Sequence, residues 1–186
     1  MSAWRDGWSA LARSVPSPNF GPRPAGAKVS LVVLHSISLP PGEYGGDAVQ
    51  RLFTNQLDAD AHPYYASLRG LKVSTHFFLR RDGELLQFVS CDERAWHAGV
   101  SQWRGRENCN DFSIGIELEG LEGEGFEAVQ YERLVALLRS LQARHGAFEV
   151  AGHEHVAAGR KRDPGPGFDW AGLRSRLRWR AERFAA

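Results

Sequence analysis

The segment Phe112-Ser-Ile-Gly-Ile-Glu-Leu118 limits the possible folds more than any other stretch of this chain. Side chains alternate across an extended strand, so Phe112, Ile114, Ile116 and Leu118 share one face. Ser113, Gly115 and Glu117 share the other. One face is a strip of core; the second is nearly bare and presents a single carboxylate. Such a strand needs an apolar layer on one side and room for something other than ordinary packing on the other.

The sequence supplies that layer. Between Glu127 and His145, the residues Tyr131, Leu134, Val135, Leu138 and Leu141 recur at helical spacing, and Gly146 provides a stop. Val29-Ser-Leu-Val-Val-Leu34 is short, apolar and β-branched, which predicts a buried strand with His35 at its tip. Thr75–Arg80 and Glu84–Val89 flank Asp82-Gly83 and predict a hairpin. Phe148–Ala151 reads as a further strand, and Asp169 as the N-cap of a helix containing Trp170, Leu173 and Leu177. Ala48–Asn55 and Pro63–Leu68 read as short helices. Interleaved strands and helices with a hairpin predict an α/β fold, a mixed central sheet flanked by helices.

The 186 residues show no internal repeat and suit a single domain, 1–186. Pro16, Pro18, Pro22 and Pro24 disfavour helix, so residues 1–25 are expected to form an extended arm on the surface. A net charge of +1 gives no global field toward nucleic acid or a membrane, and neither is expected as a partner. Arg174, Arg176, Arg178, Arg180 and Arg183 lie near a helix end opposite Leu173 and Leu177 and read as a solvated face. Arg5, Asp6 and Arg13 break any apolar run that could serve as an export signal. Cys91 and Cys109 are too few for a disulfide framework and read as reduced thiols. The expected location is the cytoplasm.

The chemistry concentrates in Gly152-His-Glu-His-Val-Ala-Ala-Gly-Arg-Lys-Arg-Asp-Pro-Gly-Pro-Gly167, a stretch too irregular for a helix. Its local pattern suits a metal-binding turn and a charged surface loop equally, and His153-Glu154-His155 is not the helical HExxH arrangement. A catalytic zinc site takes three nitrogen, sulfur or carboxylate ligands and keeps one position open. His35, His153 and Asp163 would supply that set. Glu117, on the bare strand face, would take a proton from water and pass it to a leaving amine. Lys161 would stand near developing oxyanion charge. His76, on the hairpin, reads as a structural histidine, His62 and His145 as surface residues, and Trp96 as either a sugar-stacking or a packing residue.

Five blocks carry a closer resemblance: Leu34-His-Ser-Ile-Ser-Leu-Pro-Pro41, Val73-Ser-Thr-His-Phe-Phe-Leu-Arg-Arg-Asp-Gly83, Ala95-Trp-His-Ala-Gly99, Asn110–Gly120 and Gly159-Arg-Lys-Arg-Asp-Pro-Gly-Pro166. From about Pro18 to Trp170 the chain resembles the N-acetylmuramoyl-L-alanine amidase superfamily, and within it the cytoplasmic branch acting on 1,6-anhydro-muropeptides. The resemblance implies the zinc amidase fold shared with peptidoglycan-recognition proteins, and one Zn2+ held by His35, His153 and Asp163. It further implies Glu117 as general base and Lys161 as transition-state cation. The implied reaction cleaves the amide between the lactyl group of anhydro-N-acetylmuramic acid and L-alanine of the stem peptide, in cell-wall recycling. The implied partner is the anhydro-muropeptide alone, bound by a monomer. Trp96, Arg160, Ser36, Lys72, Asn108 and Ala157 are the candidate substrate contacts. Ser36, Lys72 and Asn108 stand where the family more often carries other residues, as do His155 and Ala158, so these positions bear on how substrate is gripped. Action on polymeric peptidoglycan, or binding without hydrolysis, are the rival expectations.

Overall fold

The computed structural model describes residues 3–185. Six strands form one sheet: β1 Arg13–Ser14, β2 Leu31–Ile37, β3 Phe77–Leu79, β4 Leu85–Gln87, β5 Ser113–Glu119 and β6 Glu149–Gly152. Their spatial order is β6-β2-β5-β3-β4-β1. Strands β6, β2, β5 and β3 run parallel, β3 and β4 form the antiparallel hairpin, and β1 lies parallel to β4. Parallel strands place their carboxyl ends along one edge, the usual position of a ligand site in an α/β sheet.

The period-2 pattern sets which face is core. Val32 and Leu34 of β2, Ile114, Ile116 and Leu118 of β5, and Phe77 and Leu79 of β3 all face one hydrophobic cluster. Helix α3 (Ala128–His145) covers them with Leu134, Leu137, Leu138 and Leu141, none exposed. At about 25 cal/mol per Å² of apolar surface, each such leucine contributes about 2 kcal/mol. Gln130 fixes the start of this helix: its amide donates to the carbonyls of Leu79 and Glu119, at 3.2 and 3.1 Å. Helix α5 (Trp170–Leu177) is capped by Asp169, which accepts from the Gly172 N–H at 2.8 Å. The remaining helices are short: α1 (Ala48–Phe53) spans six residues, and α2 (Pro63–Ala66) and α4 (His153–Val156) four each.

Several expectations change. Phe112 precedes β5 and packs instead with Leu31, Val33 and Ala98. Strand β2 runs two residues past His35, so the imidazole projects from within the strand. A helical turn, α4, forms inside the stretch expected to be irregular. The proline-rich segment is not a surface arm: Trp4–Arg5 pairs with Trp8–Ser9, Arg13–Ser14 joins the sheet, and Phe20–Gly21 pairs with Arg94–Ala95. Ser9, Ser17 and Asn19 are buried. His145 is half-buried rather than on the surface, and burial lowers its pKa to about 4. Cys91 and Cys109 are free and buried. Among the described residues, no helix is long and apolar enough to cross a membrane.

Arg23 fastens the N-terminal segment. Its guanidinium donates to the carbonyls of Asn110, Asp111, Cys91 and Ser113, at 3.3, 3.1, 3.3 and 2.9 Å. Removing a charged donor from partly buried acceptors leaves them unpaired. Arg23→Ala is expected to destabilise the fold by about 3 kcal/mol. A urea midpoint equal to that of the unaltered protein would contradict this role.

Candidate active site

The bare face of β5 forms the floor of the site. Glu117 lies beside His35 across the β5–β2 ladder and beside Phe78 across the β5–β3 ladder. Next to β2, β6 ends at Gly152, and His153 opens α4 against the His35 ring, with centroids 4.4 Å apart. Gly152 has no room for a side chain, since a Cβ would stand 2.9 Å from Pro164 Cδ. That approach brings the Asp163 loop over the strand end. The Glu154 N–H donates to the Asp163 carbonyl at 2.9 Å and holds the two parts of the loop together.

Three atoms of ligand type converge there. His35 Nδ1 lies 3.0 Å from His153 Nδ1 and 3.3 Å from Asp163 Oδ2, and His153 Nδ1 lies 3.1 Å from the same oxygen. Atoms bound at about 2.0–2.1 Å to one tetrahedral ion stand about 3.3–3.4 Å apart, so this triangle suits a zinc-sized cation. The proton count points the same way. His153 Nε2 lies 3.1 Å from the Ala98 carbonyl, which only accepts, so the ring proton sits on Nε2 and Nδ1 is a lone pair. A lone pair and a carboxylate oxygen facing each other at hydrogen-bond distance are compatible with a cation between them.

The electrostatics agree. Burial, helped by His153, lowers the His35 pKa to about 4, so that imidazole is neutral at pH 7. Burial alone would raise the Asp163 carboxyl, but the His153 and His35 rings beside it outweigh burial and keep the group ionised. The set can therefore hold a metal ion without first losing a proton from either group.

Glu117 is placed differently. Its Oε1 is 4.0 Å from His35 Nδ1, outside the triangle, and its buried Oε2 has no hydrogen-bond partner. Burial, then the Asp163 charge, raises its pKa well above the ordinary carboxylate range. A carboxyl in that setting takes up a proton more readily than a solvated one, as a proton carrier must. Lys161 is exposed and lines the same open cleft of about 490 Å³. Its backbone N–H and that of Arg160 both donate to the Ala157 carbonyl at 3.0 Å, which sets the turn carrying the two cations.

The remaining candidates divide. Ser36, Trp96 and Arg160 line the cleft with His35, His153 and Asp163, and the apolar residues Leu39, Leu52 and Leu71 line it as well. Two donor bonds of Arg160 are already used, to the carbonyls of Ala98 and Val100 at 2.8 and 2.7 Å. Lys72 lines an adjoining depression, and Asn108 and Ala157 line another that shares Arg160. Ala157 is buried and offers little surface. His155 turns away: its Nδ1 accepts from the Gly152 N–H at 2.9 Å and its ring packs on Trp170. His76 is structural, accepting from the Gly115 N–H at 3.0 Å through Nδ1.

His97 is the residue that the sequence pattern did not single out for the site. It lines the cleft, and its Nδ1 faces His35 Nε2 at 2.9 Å. Its place was marked indirectly by the empty face of β5, because a Cβ on Gly115 would fall 2.5 Å from the His97 ring.

The model of the N-acetylmuramoyl-L-alanine amidase family matches residues 25–166. The chain belongs to that family. Among its relatives, the 1,6-anhydro-N-acetylmuramyl-L-alanine amidase AmpD of Citrobacter freundii is 52% identical over 172 residues, covering 91% of this chain and 92% of that one. The Escherichia coli K12 protein of the same name is 51% identical over 170 residues, covering 90% and 93%. A crystal structure of a selenomethionine AmpD derivative superposes with a TM-score of 0.91 at 51% identity, covering 93% of this chain and 98% of that chain. A more distant family member, AmiD of E. coli, in complex with anhydro-N-acetylmuramic acid-L-Ala-D-γ-Glu-L-Lys, gives a TM-score of 0.59 at 29% identity, covering 83% and 60%. The amidase fold expected from the sequence is thus the fold observed.

Proposed function

We propose that this amidase is a zinc hydrolase of the cytoplasm that cleaves the bond between the lactyl carbonyl of anhydro-N-acetylmuramic acid and the stem-peptide L-alanine, in recycling of cell-wall fragments. The observation that carries the reading is the His35–His153–Asp163 triangle beside the unpartnered Glu117 oxygen. The names of the relatives supply the substrate class.

His35 Nδ1, His153 Nδ1 and Asp163 Oδ2 would hold the zinc. When bound, the ion polarises a carbonyl and lowers the pKa of water. Glu117 takes a proton from the attacking water and delivers it to the departing amine of L-alanine; its raised pKa lets it keep the proton between the two transfers. Lys161, at the mouth, offers its charge to the oxygen that becomes negative. The apolar lining residues of the cleft, Leu39, Leu52 and Leu71, receive the less polar face of the sugar, with Trp96 available to stack.

The test is to incubate the enzyme separately with purified anhydro-muropeptide and with intact sacculus and to separate the products by mass. Free stem peptide and anhydro-sugar are expected from the first substrate only. Equal release from sacculus would move the activity to polymeric wall. Binding without release from either would leave a recognition module.

A further inference from the structure

We propose that His97 is a positioning residue that fixes the tautomer and direction of His35, so that His35 Nδ1 presents its lone pair to the metal. The inference rests on the metal-binding reading given above.

Two ring nitrogens at hydrogen-bond distance with no cation between them must differ: one carries hydrogen and the other a lone pair. His35 Nε2 and His97 Nδ1 lie 2.9 Å apart. When His35 Nδ1 gives its lone pair to a cation, its ring proton sits on Nε2 and donates to His97 Nδ1. The His97 proton is then on its Nε2, 3.1 Å from Ser113 Oγ, and that hydroxyl accepts it. The direction of both bonds follows from the first. A metal-ligating histidine is ordinarily oriented by a carboxylate, carbonyl or water on its far nitrogen. His153 has such a partner in the Ala98 carbonyl. His35 has an imidazole in that role.

The surroundings hold His97 for this task. Asn110 Oδ1 accepts from the backbone N–H groups of both His97 and Ala98, at 3.1 and 2.8 Å. One asparagine therefore places the partners of both histidine ligands. Beneath the ring, Gly115 leaves the space that any side chain would fill. The bare face of β5 is thus shaped for His97 as well as for Glu117.

The test is the zinc affinity of metal-free protein, measured by competition with a coloured chelator. His97→Phe keeps a ring over Gly115 but removes both nitrogens, and is expected to weaken zinc binding about 10–100-fold. His97→Asn, whose side-chain oxygen can occupy the Nδ1 position, is expected to recover most of that loss. In the zinc-loaded unaltered protein, long-range ¹⁵N–¹H NMR correlations are expected to show His97 protonated on Nε2, a readout that does not depend on the variants folding. Zinc binding by His97→Phe as tight as that of the unaltered protein, or a His97 proton on Nδ1, overturns the proposal alone. Failure of the unaltered protein to bind zinc overturns the metal reading and this proposal together.

Discussion

Glu117→Gln is expected to lower amide hydrolysis by about a hundred- to ten-thousand-fold, the range that a positioned acid–base group contributes. The change is nearly isosteric, and it removes the charge whose burial raises the pKa of this carboxyl. The buried oxygen without a partner is replaced or retained as an uncharged amide atom, so the fold should be no less stable. Metal content should not change, because Glu117 Oε1 stands 4.0 Å from the nearest ligand nitrogen, outside the His35–His153–Asp163 triangle. Stopped assays with product chromatography, alongside metal analysis, read the two effects separately. Turnover near the unaltered rate would place the proton carrier elsewhere in the cleft.

Asp163→Ala should have the second large effect, and on a different quantity. It deletes the sole anion among the three ligands and leaves two neutral nitrogens 3.0 Å apart. Zinc binds the folded protein and so raises its stability by RT ln(1 + [L]/Kd), about 2.7 kcal/mol at a free concentration a hundred times Kd. For a chain of this size that corresponds to a Tm increase of about 5–10 °C. If the variant weakens binding a hundredfold, the same zinc concentration adds only about 0.4 kcal/mol. Thermal unfolding with and without zinc therefore separates the two proteins without any activity assay. An equal zinc-induced shift in both would remove Asp163 from the metal site.

The sequence made the local elements readable wherever a hydrophobic period ran long enough. Tyr131 to Leu141 marked α3, and Ile114 to Leu118 marked the central strand, because burial on one face imposes those spacings. The N-terminal segment is not legible in this way, for the opposite reason. Its strands are two residues long, and Arg13–Ser14 pairs with Leu86–Gln87, so nothing local announces the pairing. The bare face of β5 identified Glu117 as unusual but gave no name to its neighbour. His97 comes from a glycine-bounded loop without periodicity, and only the fold brings it over Gly115. Likewise, the loop after Gly152 could not reveal by itself which of His153 and His155 faces the strand. The start of α4 decides it, turning His153 toward His35 and His155 toward Trp170.

The central claim is that one zinc ion, held by His35, His153 and Asp163, makes this chain an anhydro-muropeptide amidase. Its most direct test is to titrate zinc into metal-free protein in the presence of purified anhydro-muropeptide and to follow release of the stem peptide. No release is expected before zinc is added, and then a rate that rises and levels off at about one zinc per chain. Full-rate release from metal-free protein, unaffected by chelator, would contradict it.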